Sequence, residues 1–382
     1  MSAIQAAVMA VMKKAVELAP GAWLPGGKPD PLIHHNHGLI GSPVSRVDGA
    51  FKVQGKAPFA AEFALEGMVY AALAFSTIPK GRIATLDTNA AEAAAGVVLV
   101  MTHRNAPRMK PSPVFLTADK AAGADDLPIM QDDLIHWNGQ PIAIVLAETQ
   151  EQADHAKSLI RATYEAEPSV TDFDKAKALP LQPGVFFGEP LKKEINDAEA
   201  ALTSAPYSVD ETYATPRHNH NAIEPHAATL AWHGDELIVH DASQGVVHTS
   251  WSLAEVFGLK EQQVYVTSPY VGGAFGGKCL WQHQILAAAA SRIVGRPVRV
   301  ALSREGVYRV VGGRTTTEQR VAIGAQADGR FDALIHTGVV AMARHNNMTS
   351  GNLISISWSI TPATITATCR SRRPPRKSLT AF

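Results

Sequence analysis

The chain has almost no cysteine: Cys279 and Cys369 are the two among 382 residues. Two thiols cannot build a disulfide framework, and no C-x-x-C pair is present for zinc or an iron–sulfur cluster. Charge of one sign is lacking too. The 35 Lys and Arg balance 35 Asp and Glu, which leaves no electrostatic reason to expect nucleic acid or an anionic membrane as partner. No run of about 20 apolar residues occurs, so no membrane-spanning helix is predicted. The apolar run Ala6 to Met12 is followed, not preceded, by Lys13 and Lys14, the reverse of a secretory signal, and no twin arginine stands upstream. An amphipathic helix through Ile4, Val8, Val11, Ala15 and Leu18 is expected there instead. The short motifs of serine hydrolases, zinc proteases and dinucleotide folds are missing. Acidic residues stop before Ala333, while Arg370, Arg372, Arg373, Arg376 and Lys377 gather near the end. That composition reads as a disordered end, or a reading frame that has left its gene, ahead of a nucleic-acid arm.

What is present is a globular composition, 46 % hydrophobic and 18 % charged, in a chain long enough for two or three domains. Residues 1–40 form the first helix and an extended arm whose His34, His35 and His37 lack the carboxylate or cysteine neighbours of a metal site. Over 41–167 strands alternate with helices. Met68 to Phe75, Gly96 to Thr102 and Ile142 to Leu146 read as strands; Ala90 to Ala95, with Asn89 as N-cap, and Gln150 to Ala162 read as helices. This is a compact α/β unit. A polar linker, 168–188, leads to an α+β unit over 189–347. Its strands are Ser208 to Tyr213, Ala227 to Trp232, Leu237 to Asp241, Val264 to Val266, Pro297 to Leu302, Gln319 to Ala325 and Phe331 to Met342, with hairpin turns at His233 to Asp235 and Ala327 to Gly329. Helices are expected at Ser250 to Phe257, ending at Gly258, and at Leu280 to Ile293. The sheet is expected to stop after its last return strand, leaving 348–382 as a basic tail.

The heptapeptide GGAFGGK, Gly272 to Lys278, lies between a strand and a helix. Glycine serves where the backbone takes positive φ or something bulky approaches it closely, and a following helix start favours an anion. Gly272, Gly277 and Lys278 satisfy the phosphate-loop spacing, yet Cys279 stands where Ser or Thr would hold Mg²⁺. A thiol is a poor magnesium ligand, so an ATPase is the lesser reading. His218, His220 and His226 surround Glu224, as a metal cluster or, in preference, as structural and cavity-lining residues.

The joint pattern is more informative. Gly41, Pro43, Arg46, Asp48, Gly49 and Lys52 open it; Asn138 to Pro141, Asn221 to Pro225 (NAIEP), Ala242 to Gly245, GGAFGGK, and Arg304, Glu305, Gly313 and Arg314 follow in order. In this order the chain resembles the molybdenum-cofactor-binding large subunit of the xanthine dehydrogenase and aldehyde oxidase family, nearest to bacterial aldehyde oxidoreductases, over about Gly41 to Ala343. The resemblance implies an α/β hammerhead-like domain followed by part of a mixed α+β molybdenum-cofactor-binding domain. It implies oxidative hydroxylation of aldehydes or related small molecules, with water as oxygen source. It also implies a molybdenum–molybdopterin cofactor, the cytosine dinucleotide being one form, with electrons leaving to partner subunits bearing [2Fe–2S] and FAD. Gln244 and Phe275 would flank the molybdenum, and the backbone of Gly273 and Gly276 would approach the cofactor. Cys279 takes the place of a glutamate that binds the heterocycle in purine-oxidising relatives, which puts it in the substrate pocket and tilts the reading to aldehydes. The family's general base is a glutamate far toward the C-terminus, and no residue here inherits that role. The chain is therefore expected to be an N-terminal fragment, broken near Asn347 to Ser357, without catalytic residues of its own. An inactive remnant or interaction module of the same fold is the competing reading. A cytoplasmic location is expected, with periplasmic co-export beside a signal-bearing partner as the alternative.

Overall fold

The computed structural model describes residues 43–177 apart from 116, residues 194–341, and the backbone alone of strand residues at 185–186, 189–190, 192–193 and 363–369. The predicted helix at residues 4–18, the histidine arm and most of the basic tail lie outside the described residues. Contacts divide the chain into Met1–Ala57 and Pro58–Phe382. In the first, the short helix Gly49–Val53 is steadied by Asp48, which pairs with Lys52 at 2.6 Å.

The second unit carries β1 Val69–Phe75, β2 Gly81–Asp87, β3 Val97–Thr102, β4 Leu134–Ile135, β5 Pro141–Ala147, β6 Arg161–Ala166, β7 Val185–Phe186, β8 Glu189–Pro190 and β9 Lys192–Glu194. Then follow β10 Tyr207–Thr215, β11 Ala227–His233, β12 Glu236–Asp241, β13 Val264–Thr267, β14 Val298–Ala301, β15 Thr317–Ala325, β16 Phe331–Val340 and β17 Ala363–Cys369. Seven strands form one mixed sheet in the order β13-β12-β11-β14-β1-β5-β3. β1 runs parallel to β14, pairing Val69 with Val298, so the two segments separated in the sequence share this sheet.

The middle of that sheet explains its apolar runs. Every residue of β5 is buried. Ile144 and Leu146 join a core with Ile285, Leu286 and Ala289 of the helix Gln282–Val294, whereas Val145 packs with Ala156 of the helix Gln150–Leu159. Burial on both faces removes the need for polar alternation. A three-stranded sheet, β4-β2-β6, and a five-stranded one, β10-β15-β16-β17-β9, are separate from it. In the latter, Ala322, Ala333 and Ile335 bury the helix Ala198–Ser204 through Ala198, Ala201 and Leu202.

Several expectations are corrected. Asn89 lies inside the helix Asn89–Glu92 rather than capping it; Thr88 holds the cap position. The helix from Gln150 ends at Leu159 because Ile160 turns extended, which delivers Ala162 into β6. The helix expected from Ser250 starts a turn earlier, at Val246, and ends as expected at Gly258, whose φ is 67°. The stretch read as linker contains the helix Phe173–Lys177, opened by Asp172 accepting the Lys175 N–H at 2.8 Å. The five-stranded sheet does not stop at β16; β17 adds antiparallel to it, pairing Leu334 with Cys369 through Val340 with Ala363. The short elements β2, Ala198–Ser204 and Arg304–Val310 have no counterpart in the sequence reading, since seven residues carry little periodicity. Among the described residues no helix is long and apolar enough to cross a membrane.

Candidate cofactor-facing site

GGAFGGK forms an irregular loop, and the helix expected at Leu280 begins only at Gln282. Gly273 and Gly276 take φ of 94° and 91°, and between them Phe275 holds a φ of 55°, rare for a residue with a side chain. Phe275 is 63 % exposed although it is a large aromatic. A side chain in the left-handed region costs about 1–2 kcal/mol, so surrounding contacts must hold it there.

Those contacts come largely from the NAIEP segment. The Gly272 N–H donates to Glu224 Oε2 at 2.6 Å, and the Glu224 N–H donates back to the Gly272 carbonyl at 3.2 Å. The Lys278 ammonium, wholly buried, donates to the same Glu224 oxygen. Burial pulls the Lys278 amine below its ordinary value, and Glu224 works against that shift. His226 Nε2 and Trp281 Nε1 both donate to the Gly277 carbonyl at 2.7 Å. Arg314 donates to the Phe275 carbonyl at 3.2 Å, and Arg304 to the Ala222 carbonyl at 2.7 Å. The Gln244 N–H donates to the Lys278 carbonyl at 3.0 Å, which sets the Ser-Gln segment against the loop. Gln244 is itself exposed.

Behind the loop the groups are buried and uncharged in tendency. Burial pushes the Asp241 carboxyl up to about 7, although Gln284 donates to it at 3.2 Å. It lowers His226 to about 4 and also holds His283 well below its ordinary value. These two rings meet edge to face, with centroids 5.8 Å apart. Cys279 is 9 % exposed, with Sγ 3.9 Å from the Gly276 carbonyl and its thiol pushed up to about 11 by burial.

The structure thus brings Gln244, Gly273, Phe275, Gly276 and Cys279 to one loop cluster. Glu224 and Lys278 are the residues that sequence reasoning missed as a pair. The signal was available: a lysine followed by an apolar helix must bury its charge against a carboxylate, and NAIEP supplies one. Among the described residues no cluster of three or more His, Cys, Asp or Glu able to hold a metal occurs. With Lys278 clasped by Glu224, its ammonium is not free to reach a nucleotide phosphate, which argues further against the ATPase reading.

A molybdopterin-type cofactor fits this cluster. A Cβ built on Gly276 meets only Arg314 Nη2 and His220 Nε2, each at 3.9 Å, so the backbone there is open to close approach. Arg304 and Arg314 add positive charge suited to an anionic group.

Comparison with known proteins agrees. The aldehyde oxidase and xanthine dehydrogenase a/b hammerhead domain matches residues 54–168, and the molybdopterin cofactor-binding domain matches residues 182–357. The aldehyde oxidoreductase molybdenum-binding subunit of Escherichia coli K12 is 35 % identical over 301 residues, 78 % of this chain and 39 % of that subunit. The nicotinate dehydrogenase large molybdopterin subunit of Eubacterium barkeri is 28 % identical over 302 residues, 78 % of this chain and 69 % of that one. Among solved structures, the aldehyde oxidoreductase of Desulfovibrio gigas superposes with a TM-score of 0.64 at 24 % identity, covering 75 % of this chain and 33 % of that one. Quinoline 2-oxidoreductase from Pseudomonas putida 86 gives 0.65 at 21 %, covering 75 % and 38 %. These two likenesses show the fold. The chain spans about two fifths of the Escherichia coli subunit. With a hammerhead domain followed by a molybdopterin cofactor-binding domain, the chain belongs to the aldehyde oxidase and xanthine dehydrogenase family of molybdenum-binding subunits.

Proposed function

We propose that this chain presents one wall of an aldehyde-oxidising molybdenum hydroxylase site, with Gln244 and Phe275 facing the cofactor. The observation that carries the proposal is Phe275, an exposed aromatic held at positive φ in a loop pinned largely by the NAIEP segment. Strain and exposure together are retained where a ligand makes use of them. When bound, the cofactor supplies the two-electron redox step. Gln244 offers an amide donor to an oxygen on the cofactor side, and the Phe275 ring, lying over Gly273, excludes water from that side of the loop. Arg314 and Arg304 favour an anionic ligand.

Among the described residues Glu224 spends its Oε2 on Lys278 and Gly272, while its Oε1 is buried without a hydrogen-bond partner. The general base is proposed to come from outside this wall. Cys279, a neutral thiol at physiological pH, gives no strong acceptor for a purine, which supports aldehydes; the Escherichia coli relative named above is an aldehyde oxidoreductase. The described residues hold no cysteine set for a cluster, so iron–sulfur and FAD subunits are the proposed electron partners. The cytosine dinucleotide form of the cofactor and a cytoplasmic location belong to the same proposal.

The test is to purify the chain, with and without co-produced partner subunits, from a host that makes molybdopterin. Molybdenum and pterin are then measured, together with any nucleotide released by acid hydrolysis. Stoichiometric molybdenum with released cytidine monophosphate is expected, and aldehyde turnover above purine turnover in the complete assembly. A metal-free and pterin-free chain under both conditions rules the reading out.

A further inference from the structure

The Lys278–Glu224 pair is wholly enclosed on the lysine side and keeps only 13 % exposure on the Glu224 side chain. Its bonds lead to both cofactor-facing residues. Through its carboxylate the pair holds the Gly272 N–H, the entry to the Gly273–Gly276 turn that displays Phe275. Through the Lys278 carbonyl it holds the Gln244 N–H. Gly272 approaches so closely that a Cβ there would lie 2.5 Å from Glu224 Cβ, so loop and NAIEP segment have no slack between them.

We infer that Lys278 and Glu224 are positioning residues that index Gln244 and Phe275 to one another, acting through the loop backbone without touching the cofactor. This rests on the proposed cofactor site. A buried pair suits such a task because breaking one partner leaves an uncompensated charge, whereas removing both is tolerated far better. The pair therefore holds geometry at little net gain in stability.

The experiment uses the full chain and four variants: Lys278→Met, Glu224→Gln, the double variant of these two, and the conservative Lys278→Arg. Hydrogen exchange is followed by mass spectrometry on peptides spanning Gln244 and Gly272 to Lys278, with β11, β12 and β14 as internal references, and molybdenum content is measured on the same samples. Both single variants and the double variant are expected to speed exchange in the two site peptides by about tenfold or more while the reference strands stay protected. Molybdenum content should fall in parallel, and Lys278→Arg should recover part of both. Unchanged site exchange in the double variant overturns the inference. So does a uniform loss of protection across the reference strands, which is general destabilisation. Wild-type chain without molybdenum defeats the cofactor reading alone, since the exchange result is read independently of it.

Discussion

Gly272 and Glu224 are in such close contact that the glycine N–H reaches the carboxylate at 2.6 Å and leaves no room for a side chain between them. Gly272→Ala must push the NAIEP segment away. Overpacking of this sort costs about 1–3 kcal/mol, and the loss should appear as a lower denaturant midpoint with an unchanged slope. A variant as stable as the wild type would show that the segment yields freely.

Phe275 leads to the opposite sign. At a φ of 55° and 63 % exposed, it gains little packing and carries backbone strain. Phe275→Gly is expected to raise stability by about 1 kcal/mol while lowering molybdenum retention. Thermal unfolding and metal analysis of one preparation check both halves. A fall in stability would mean that the ring is a packing residue.

Asp241 supplies a pH dependence. Its carboxyl rises from 3.8 to about 7 on burial, so between about pH 4 and 7 the folded state keeps a proton that the unfolded state has released. Stability from this group therefore falls as pH rises through that window. His226 acts in the other direction: lowered from 6.5 to about 4, it contributes stability above pH 6.5 that is lost as pH falls toward 4. Asp241→Asn removes only the first effect. Relative to the wild type, the variant should gain about 2–3 kcal/mol more at pH 8 than at pH 5, measured by denaturant unfolding. An identical difference at the two pH values contradicts a neutral buried carboxyl.

Cys279 is expected to resist thiol reagents in the native state. A thiol at about 11 is far less ionised at pH 8 than one at the ordinary 9.0, and burial adds to the protection. Labelling with iodoacetamide followed by peptide mapping should show Cys279 reacting at least about a hundredfold more slowly in the folded than in the unfolded chain. Rapid native labelling would place the thiol at an open surface.

The extent to which this was legible in advance differs from element to element. β5 was plain as an apolar run bounded by a helix signal, and the hairpins at Gly234 and Gly329 were plain because their glycines adopt the positive φ that their turns require. The end of the Gln150 helix was not, because the change at Ile160 depends on β6 pairing with β2, far away in sequence.

The sequence by itself determined the family, through the order of NAIEP, the Ser-Gln segment and GGAFGGK, and with it the two-domain sequence of the fold. The family resemblance, in turn, implied that Gln244 and Phe275 belong together. Only the tertiary structure decided what holds them. The parallel pairing of β12 with β13 sends the Ser-Gln segment and the glycine loop off the same end of one sheet, and the burial of Lys278 forces its charge onto Glu224. A lysine after two glycines reads locally as a phosphate ligand. It becomes a clasp because the interior excludes water, and there the nearest carboxylate is the partner that offsets the cost of burying its charge.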